Sequence, residues 1–314
     1  MDKDYRPNFL CDLHSHTTRS DGNDTPKEFL DTAADLGMKV VAITDHDVLP
    51  PDKIEVNGVM VDVEHYAEKK GMKLLRGIEF SCETEVEDVH LVAFGCDYSS
   101  PEITAMNRII VQSKIDSYRK LTELLTEKGY PISWEEVLNY NDIPRKPEDV
   151  QKKIIFNLMA EKGYTETWSE AKLMIRNHPE YNLKREKPNP LTIIDIVHRA
   201  GGIVILAHPY LIDEQVKTKD FEGTRAQYID RLIAGGLDGI EACYTYDKTT
   251  YNGALTKDEI IARVKQDYTG RVKIISGGSD YHADYKKSSK RIRNIGECGI
   301  TPEEFYGNAL LASL

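Results

Sequence analysis

The sequence is poor in cysteine, and its cysteines are not spaced as pairs of metal ligands. Five occur among 314 residues, and no two of them are separated by only two positions. This count and spacing do not fit a disulfide framework or a thiolate zinc site. A reducing, intracellular compartment is the simplest explanation. The five are Cys11, Cys82, Cys96, Cys243 and Cys298.

Long apolar runs are also absent. The N-terminal stretch Met1–His16 has no apolar segment typical of a secretory signal, and no run approaches the roughly 18 residues that span a bilayer. We therefore expect a cytoplasmic protein without a membrane partner.

Positive charge is in deficit. The chain has 41 Lys and Arg against 52 Asp and Glu, a formal net charge of −11. An acidic surface without aromatic residues interleaved among basic ones disfavours binding to long nucleic acids. A small anionic substrate is not excluded, because bound cations can reverse the charge inside a site.

The chain does contain a regular alternation of short, β-branched apolar runs with amphipathic helical stretches. This pattern is typical of parallel βα units and predicts an α/β fold, and α/β barrels commonly reach this length. We predict seven strands, at Phe9–Leu13, Lys39–Thr44, Lys73–Ile78, Val89–Phe94, Ile203–Ala207, Asp238–Cys243 and Val272–Ser276.

One interval interrupts the alternation. Between the fourth and fifth predicted strands, helical patterns occur without a convincing strand, and a connection this long needs structure of its own. We predict that residues 101–188 form a helical insertion or lid domain, and that residues 1–100 and 189–314 form a discontinuous barrel domain. The predicted helices of the insertion are Ile103–Lys128, Trp134–Tyr140, Pro147–Lys162 and Glu166–Asn177.

The strongest local signal lies at the end of the first predicted strand. Side chains of an extended segment alternate faces, so Asp12, His14 and His16 project to one side together. Two such imidazoles can share a cation, and Asp12 is placed to accept the second ring N–H of a ligand. The alternative is a polar turn that happens to contain two histidines.

Other imidazoles and carboxylates also lie within or just after predicted strands. In barrel enzymes the carboxyl ends of the strands hold the active site, and six of the nine histidines lie within or just past a predicted strand. The alternatives are a simple turn at Asp21 and a core histidine at His46. The further candidates are Asp21, His46, Glu79, His90, His208, Asp280 and His282.

The chemistry of these side chains indicates metal. Imidazole and carboxylate without thiolate suit Zn, Mn or Fe, and nine such ligands exceed what one tetrahedral ion uses. The sequence therefore predicts two or three divalent metal ions. The remaining histidines, His65, His178 and His198, lie in helical or loop segments and are interpreted as ordinary surface or packing residues.

Six segments, taken in order, closely resemble the PHP (polymerase and histidinol phosphatase) superfamily of metal-dependent phosphoesterases. They read HxHTxxSDG, TDHD, GIE, VHL, AHP and GSDxH, and the resemblance covers about residues 8–97 and 190–300. The helical insertion is similar to that of stand-alone members. The resemblance implies a distorted (β/α)7 TIM-like barrel and phosphoesterase activity.

The resemblance also implies how the ligands are shared among ions. The first ion would be held by His14, His16, Glu79 and Asp280. Glu79 would bridge to a second ion, completed by His90 and His208. A third ion would be held by Asp21, His46 and His282. The substrate pattern of the family transfers poorly, since its nearest equivalent in the insertion is Gln151-Lys152-Lys153.

With such a centre we expect a metal-bridging hydroxide, with Glu79 as the bridging ligand, to attack phosphorus. Three divalent ions bring +6 against −3 from Asp21, Glu79 and Asp280, which leaves a cationic pocket for phosphate. We expect a phosphomonoesterase acting on a small phosphorylated metabolite or nucleotide. The alternatives are a phosphodiesterase for a cyclic phosphate or short oligonucleotide, an amidohydrolase-type C–N hydrolase, and a non-catalytic metal-stabilised binding module.

Two groups of residues are predicted around the ligands. Asp12 and Asp45 are expected to orient ligand imidazoles, with turn capping as the alternative. Basic residues near strand ends or in the insertion are candidates for substrate phosphate, with a solvated charged face as the alternative. These are Arg19, Arg145, Lys152, Lys153, Arg185, Lys286 and Lys287.

Overall fold

A computed structural model describes residues 4–181, 183, 185–286 and 291–314. Seven strands form one sheet in which each strand lies beside the next in sequence. The central runs Val-Val-Ala-Ile and Ile-Val-Ile-Leu are completely buried, as expected of strands covered on both faces. The strands are β1 Cys11–Asp12, β2 Val40–Ile43, β3 Lys73–Cys82, β4 Val89–Phe94, β5 Ile203–Leu206, β6 Gly239–Cys243 and β7 Ile274–Gly277.

The two edges of this sheet approach each other just beyond β1 and β7. The Leu13 amide donates to the Gly277 carbonyl oxygen at 3.2 Å, and the His16 amide donates to the Tyr281 carbonyl oxygen at 2.8 Å. Ser15 and Tyr281 also form a parallel bridge. The sheet is therefore a nearly closed barrel, and the predicted α/β class with a distorted TIM-like barrel is confirmed.

One strand departs from the predicted parallel pattern. β4 runs antiparallel to both β3 and β5, whereas the other neighbouring pairs of the sheet are parallel. Only residues 83–88 connect β3 to β4. A parallel crossover needs a dozen or more residues, so this short connection imposes a hairpin, and the prediction of parallel units throughout is wrong here.

The helices begin at well-defined caps. Thr25 and Glu28 form a capping box at the start of α1, with Pro26 as its first residue. No helix in the described part of the chain is long and apolar enough to cross a membrane. The helices are α1 Pro26–Asp35, α2 Val63–Lys69, α3 Pro101–Glu127, α4 Trp134–Leu138, α5 Lys152–Glu161, α6 Trp168–Asn177, α7 Pro190–Arg199, α8 Arg225–Ala234, α9 Lys257–Tyr268, α10 Pro302–Gly307 and α11 Ala309–Ser313.

Two small hairpins lie outside the barrel sheet. One pairs Lys53–Val56 with Val59–Asp62, and the other pairs Gln215–Lys217 with Glu222–Thr224. Neither is among the predicted strands, because each arm has at most one buried residue and so no buried apolar run.

The chain forms two compact units. One contains the barrel and comprises the residues up to Ala105 together with Pro188–Leu314, and the other comprises Met106–Lys187. The second unit is helical and has an apolar core of its own, which includes Leu125, Ile155 and Ile175. The exact extent of an insertion domain, predicted as residues 101–188, stays a prediction.

Candidate metal centre

Glu79 lies at the centre of the clustered histidines. It is on β3, between the ends of β2 and β4, and is 1% exposed. Its Oε2 atom lies 3.1 Å from His14 Nε2, from His16 Nε2 and from His46 Nδ1. One carboxylate oxygen therefore faces three imidazoles that come from two neighbouring segments.

The second oxygen of Glu79 faces a different pair of rings. Its Oε1 atom lies 3.0 Å from His90 Nδ1 and 3.1 Å from His208 Nε2. These two ring nitrogens are 3.2 Å apart. Glu79 thus presents one oxygen to each of two groups of nitrogen atoms, which is the arrangement a bridging carboxylate requires.

Asp280, in the loop after β7, approaches the ring nitrogens of His14 and His16. Its Oδ1 atom lies 3.0 Å from His16 Nε2 and 3.7 Å from His14 Nε2. Because β1 and β7 are neighbours in the closed sheet, the loop after β7 brings Asp280 to residues that are more than 260 positions earlier in the chain.

A third group extends from His16 towards solvent. His282 Nε2 lies 3.1 Å from Asp21 Oδ1, and the rings of His46 and His282 each have their centroid 4.3 Å from that of His16. Ligand atoms of His16, Asp21, His46 and His282 lie within 4.8 Å of one another. The structure therefore gathers all nine predicted ligand residues into one cluster.

The buried polar atoms of the cluster fit a site for a divalent metal ion. Among the described residues, His14 Nε2, His16 Nε2, His46 Nδ1 and Glu79 Oε2 are buried without a hydrogen-bond partner. Buried polar atoms rarely stay unsatisfied, and these four converge on the same space. Imidazole nitrogen and carboxylate oxygen are ligands of Zn, Mn and Fe, so the residues present fit such an ion.

Two residues of the cluster have a left-handed backbone conformation. His208 has φ 29° and Asp280 has φ 51°, values that are uncommon for residues with a side chain. Residues held in such conformations cluster at functional sites, where the surrounding structure fixes them. The two turns direct the His208 imidazole towards Glu79 and the Asp280 carboxylate towards His16.

Even without a metal ion, the ionisable groups of the cluster shift one another's pKa values strongly. Burial by itself would raise the pKa of Glu79, but His14, His46 and His90 hold that pKa well below its usual value. Burial lowers the pKa of His46 to about 4. Burial opposes the charge on His16 too, yet Asp280 and Glu79 raise its pKa to about 10. The site holds a carboxylate ready for a cation.

Asp12 does not touch a ligand ring. It accepts hydrogen bonds from the amides of Ser279 at 2.9 Å and Gly296 at 2.8 Å, and from the Ser279 hydroxyl. Burial raises its pKa to about 6, although these hydrogen bonds oppose the rise. The expected contact of Asp12 with an imidazole is thus corrected, because its carboxylate instead fixes the loop that carries Asp280.

Asp45 also acts through a loop. It accepts from the Thr17 amide at 2.8 Å, the Thr17 hydroxyl at 2.7 Å and the Ser20 hydroxyl at 2.6 Å. The Ser20 hydroxyl lies 3.4 Å from His16 Nδ1. Asp45 therefore holds the turn between His16 and Asp21, and its expected role in orienting an imidazole operates indirectly through Ser20.

Glu241 is the residue that sequence patterns miss. It lies on β6, is 3% exposed, and places Oε1 3.2 Å from His14 Nδ1. Its Oε2 atom accepts the backbone amide of His208 at 2.8 Å. A carboxylate that receives the second ring N–H of a metal ligand fixes its tautomer and direction. An acidic residue inside the otherwise apolar strand Gly239–Cys243 is the signal that identifies it.

The outer oxygen of Asp280 is also held. Its Oδ2 atom accepts from the Tyr244 hydroxyl and from Arg293 Nη1, both at 2.7 Å. Arg293 in turn pairs with Asp284, from Nε to Oδ2, at 2.8 Å. With Oδ2 occupied, Oδ1 is the oxygen of Asp280 that remains directed at His16 and His14.

The candidate substrate residues in the barrel unit have partners within the protein. Arg19 Nη2 donates to the Leu49 carbonyl oxygen at 3.0 Å. Lys286 Nζ pairs with Asp24 at 2.7 Å and Glu28 at 3.1 Å. Lys287 lies outside the described residues. The proposed phosphate contacts of Arg19 and Lys286 would therefore compete with existing interactions.

The other candidate substrate residues belong to the helical unit. Arg145 Nη1 donates to the carbonyl oxygens of Tyr140 at 2.6 Å and Ile143 at 2.8 Å. Lys153 places Nζ 5.2 Å from the Trp168 ring centroid. Lys152 is the first residue of α5, and Arg185 lies near the end of the unit. Their substrate role stays a prediction.

Comparison with known proteins decides the family. The family model of the PHP domain matches residues 12–200. This range ends before β5 and contains six of the nine clustered histidines and carboxylates. The chain belongs to the PHP family. As a member of this family, the PHP protein is a metal-dependent phosphoesterase.

Its relatives differ in what they act on. The chain is 25% identical over 274 residues to the 5'-3' exoribonuclease of Haemophilus influenzae, covering 86% of this chain and 89% of that protein. It is 25% identical over 279 residues to the 3',5'-nucleoside bisphosphate phosphatase of Chromobacterium violaceum, covering 87% of each. A solved structure assigned as a metal-dependent phosphoesterase of Bifidobacterium adolescentis matches with a TM-score of 0.70 and 25% identity, over 97% of this chain and 96% of that chain.

Proposed function

We propose that this PHP protein hydrolyses a small phosphomonoester, such as a nucleotide or a phosphorylated metabolite. The observation that carries the proposal is the position of Glu79, whose two oxygens face two separate groups of ring nitrogens. Divalent ions held there would lower the pKa of a water molecule to near neutrality and neutralise charge on the phosphate.

The proposed ligand sets follow the distances. His14, His16, Asp280 Oδ1 and Glu79 Oε2 form the first set. Glu79 Oε1 with His90 and His208 forms the second. Asp21, His46 and His282 form the third and most exposed set.

The residues around these sets hold the ligands in place. Glu241 fixes the direction of His14 and the backbone of His208. Tyr244 and Arg293 occupy one oxygen of Asp280, so the other stays directed inward. Positioning of this kind contributes to catalysis because the reacting groups need no rearrangement when the substrate arrives.

One cavity of the barrel unit is of a size that suits a small substrate. Its volume is ≈ 460 Å³, and its lining includes Asp88 and Tyr210, which are each two positions in the sequence from a histidine of the second ligand set. Arg225 in the lining lies 4.1 Å from the Tyr210 ring centroid and pairs with Glu214 at 2.6 Å. Because its arginine is neutralised and carboxylates remain, the cavity favours an organic group without further phosphates.

A second candidate function is exonucleolytic cleavage of short oligonucleotides, a phosphodiester reaction. The observation that favours it is the similarity to the exoribonuclease of H. influenzae over most of both chains. The two functions differ in the leaving group, so product analysis separates them.

The test compares substrates on a metal-depleted protein reloaded separately with Zn²⁺, Mn²⁺ and Fe²⁺. We expect phosphate release from nucleoside monophosphates and p-nitrophenyl phosphate to exceed cleavage of bis(p-nitrophenyl) phosphate and of dinucleotides. Faster diester cleavage would favour the second function. A reloaded protein that is inert on both but cleaves cyclic amides, or cleaves nothing, would support the amidohydrolase or binding-module alternative.

Matched variants test the site itself. His14→Ala and Glu79→Ala should remove most bound metal and reduce turnover by at least about a thousandfold, since the first removes a ligand and the second removes the bridge. His65→Ala is the control, because His65 is an α2 residue whose side chain is 60% exposed. Retained metal and activity in Glu79→Ala would refute the proposed centre.

A further inference from the structure

Two of the five cysteines contact each other, outside the metal centre. Cys243 ends β6 and Cys298 precedes the segment that pairs with β1, and both are buried, with 6% and 1% of their surface exposed. The two side chains line the same cavity and interact with each other, and the Gly299 amide acts on the Cys243 sulfur as well. The thiols of Cys82 and Cys96 instead donate to backbone carbonyl oxygens.

The fold holds this pair in register. Ile300 and Cys11 exchange backbone hydrogen bonds, which fix the segment containing Cys298 against β1. Cys243 pairs with Gly277 of β7, where a Cβ atom would lie 2.9 Å from Cys243 Cβ and overlap the Gly299 carbonyl oxygen. The glycine at position 277 therefore allows the two cysteine-bearing segments to approach each other.

The pair can be reached by a small molecule. Both cysteines line a cavity of ≈ 280 Å³, together with Lys257 from the first turn of α9 and Lys265 further along that helix. Hydrogen peroxide is much smaller than this space. The neighbouring Cys298 side chain lowers the pKa of the Cys243 thiol, with the charge of Lys257 acting in the same direction and burial and Glu241 opposing it. Burial instead raises the pKa of both Cys11 and Cys96 to about 12.

From this contact and this opening, we infer that Cys243 and Cys298 form a peroxide-oxidisable dithiol site. The Cys243 thiolate attacks one oxygen of hydrogen peroxide, the O–O bond breaks, and water leaves once the departing hydroxide takes up a proton. The sulfur of Cys298 then attacks the sulfenic sulfur of Cys243, and the S–O bond breaks. The thiol proton of Cys298 leaves with that oxygen as a second water. Two thiols and one peroxide thus give one disulfide and two waters.

Oxidation at this pair acts on the metal centre through β6 and β7. Cys243 lies two residues after Glu241, and the pairing of β6 with β7 is irregular between these residues. The carbonyl oxygen of Cys243 accepts the Gly278 amide at 3.0 Å, two residues before Asp280. A disulfide that draws Cys243 towards Cys298 therefore pulls on segments that carry Glu241 and Asp280. This consequence, unlike the disulfide itself, rests on the proposed function.

The first experiment needs no variant. The full chain, loaded with Zn²⁺ or Mn²⁺ and kept free of iron, is treated with hydrogen peroxide and then digested without reductant. We expect a peptide pair joined through Cys243 and Cys298, lighter than the two peptides by two hydrogens and separated again by a thiol reductant. Its formation should be about tenfold faster, or more, than oxidation of Cys11 or Cys96. Free thiols at both positions while the other cysteines oxidise would overturn the inference.

Variants identify the attacking sulfur. In Cys298→Ser, peroxide should leave a sulfenic acid on Cys243 that dimedone labels, whereas Cys243→Ser should leave Cys298 unlabelled. Cys96→Ser is the matched control and should form the same disulfide at the wild-type rate. Oxidation of Cys243 to sulfinic acid in the wild-type chain, without a cross-link, would contradict the pairing.

A separate readout addresses the metal centre. The oxidised wild-type chain should retain less metal and hydrolyse p-nitrophenyl phosphate more slowly than the reduced chain, and reduction should restore both. Cys298→Ser should lose this reversible response. If the disulfide forms while metal content and turnover stay constant, the dithiol site stands and its link to the metal centre is refuted.

Discussion

At the scale of single residues, the direction of each candidate ligand depends on a second side chain behind it. Glu241 is the clearest case, because its two oxygens hold both a ring and a backbone amide of the centre. A glutamine has one acceptor oxygen; in the place of Oε2 it keeps the His208 amide, but the NH2 group then faces the His14 ring N–H, which is left with the longer, 3.4 Å contact to that oxygen. The position of the ring then depends on a single, weaker hydrogen bond.

We therefore expect Glu241→Gln to reduce metal affinity by about 10–100-fold, with little change in secondary structure. Competition with a metal-sensitive dye measures the affinity, and circular dichroism checks the fold. Asp230→Asn is the matched control, since Asp230 is half exposed and pairs with Arg271 at 2.6 Å. Unchanged metal affinity in Glu241→Gln would mean that His14 is oriented by other contacts.

The same residues show what sequence can and cannot predict about the site. His14, His46 and His208 could be selected because each follows an apolar strand, and parallel strand ends meet at one face. The partners of these residues could not be selected in this way. Glu241 is within a strand, and the contact of Tyr244 with Asp280 joins two different loops, so both depend on strand register and barrel closure. The partners of Asp12 are two backbone amides and the Ser279 hydroxyl, which no sequence pattern reveals.

At the scale of secondary structure elements, buried apolar strands and capped helices were predictable, whereas exposed hairpins and the direction of β4 were not. β2 and β5 are continuous buried runs, and α1 begins with a complete capping box. The direction of β4 depends on the length of its connection to β3, not on its own apolar pattern. The two hairpins outside the sheet bury too few side chains to produce a recognisable alternation of apolar and polar residues.

The contact between α1 and α2 gives a prediction at this scale. Asp31 of α1 lies 2.6 Å from Lys27 Nζ, 2.7 Å from Lys70 Nζ just after α2, and 2.7 Å from the Tyr66 hydroxyl. Burial opposes its ionisation, but these three partners lower its pKa to about 2. A carboxylate with a depressed pKa stabilises the fold above its unfolded pKa of about 4. This stabilisation is lost as the pH falls through the pKa that Asp31 has in the folded state.

Asp31→Asn should accordingly lower the free energy of unfolding at pH 7 by about 1 kcal/mol or less, because the carboxylate is 31% exposed and screened. The difference from wild type should shrink as the pH falls below about 4 and vanish near pH 2. Urea unfolding of the chelated protein at a series of pH values measures it. Asp195→Asn, which removes an exposed pair with Arg199 at 2.9 Å, should have a smaller effect. A difference that does not change with pH would exclude the ionised carboxylate as its cause.

At the scale of the whole molecule, the candidate metal ligands come together because the sheet closes. β1 supplies His14 and His16, and the loop after β7 supplies Asp280, so the first ligand set forms only where these two edges meet. The two edges approach closely at Gly278, where a Cβ atom would lie 2.9 Å from His14 Cα and overlap both its Cβ and its amide nitrogen. A side chain at this position must push β1 away from β7.

Gly278→Ala should therefore damage folding and metal binding together. We expect the free energy of unfolding to fall by about 1–3 kcal/mol, as for other overpacked sites, and metal affinity to fall at least about tenfold. Gly307→Ala is the control, because Gly307 ends α10 and a Cβ atom there meets nothing within 4 Å. Its stability should stay within about 0.5 kcal/mol of wild type. Thermal unfolding followed by circular dichroism, with and without chelator, measures both variants. Gly278→Ala could instead lose stability in the chelated protein and still bind metal normally. That result would show that the first ligand set does not depend on the contact between β1 and β7.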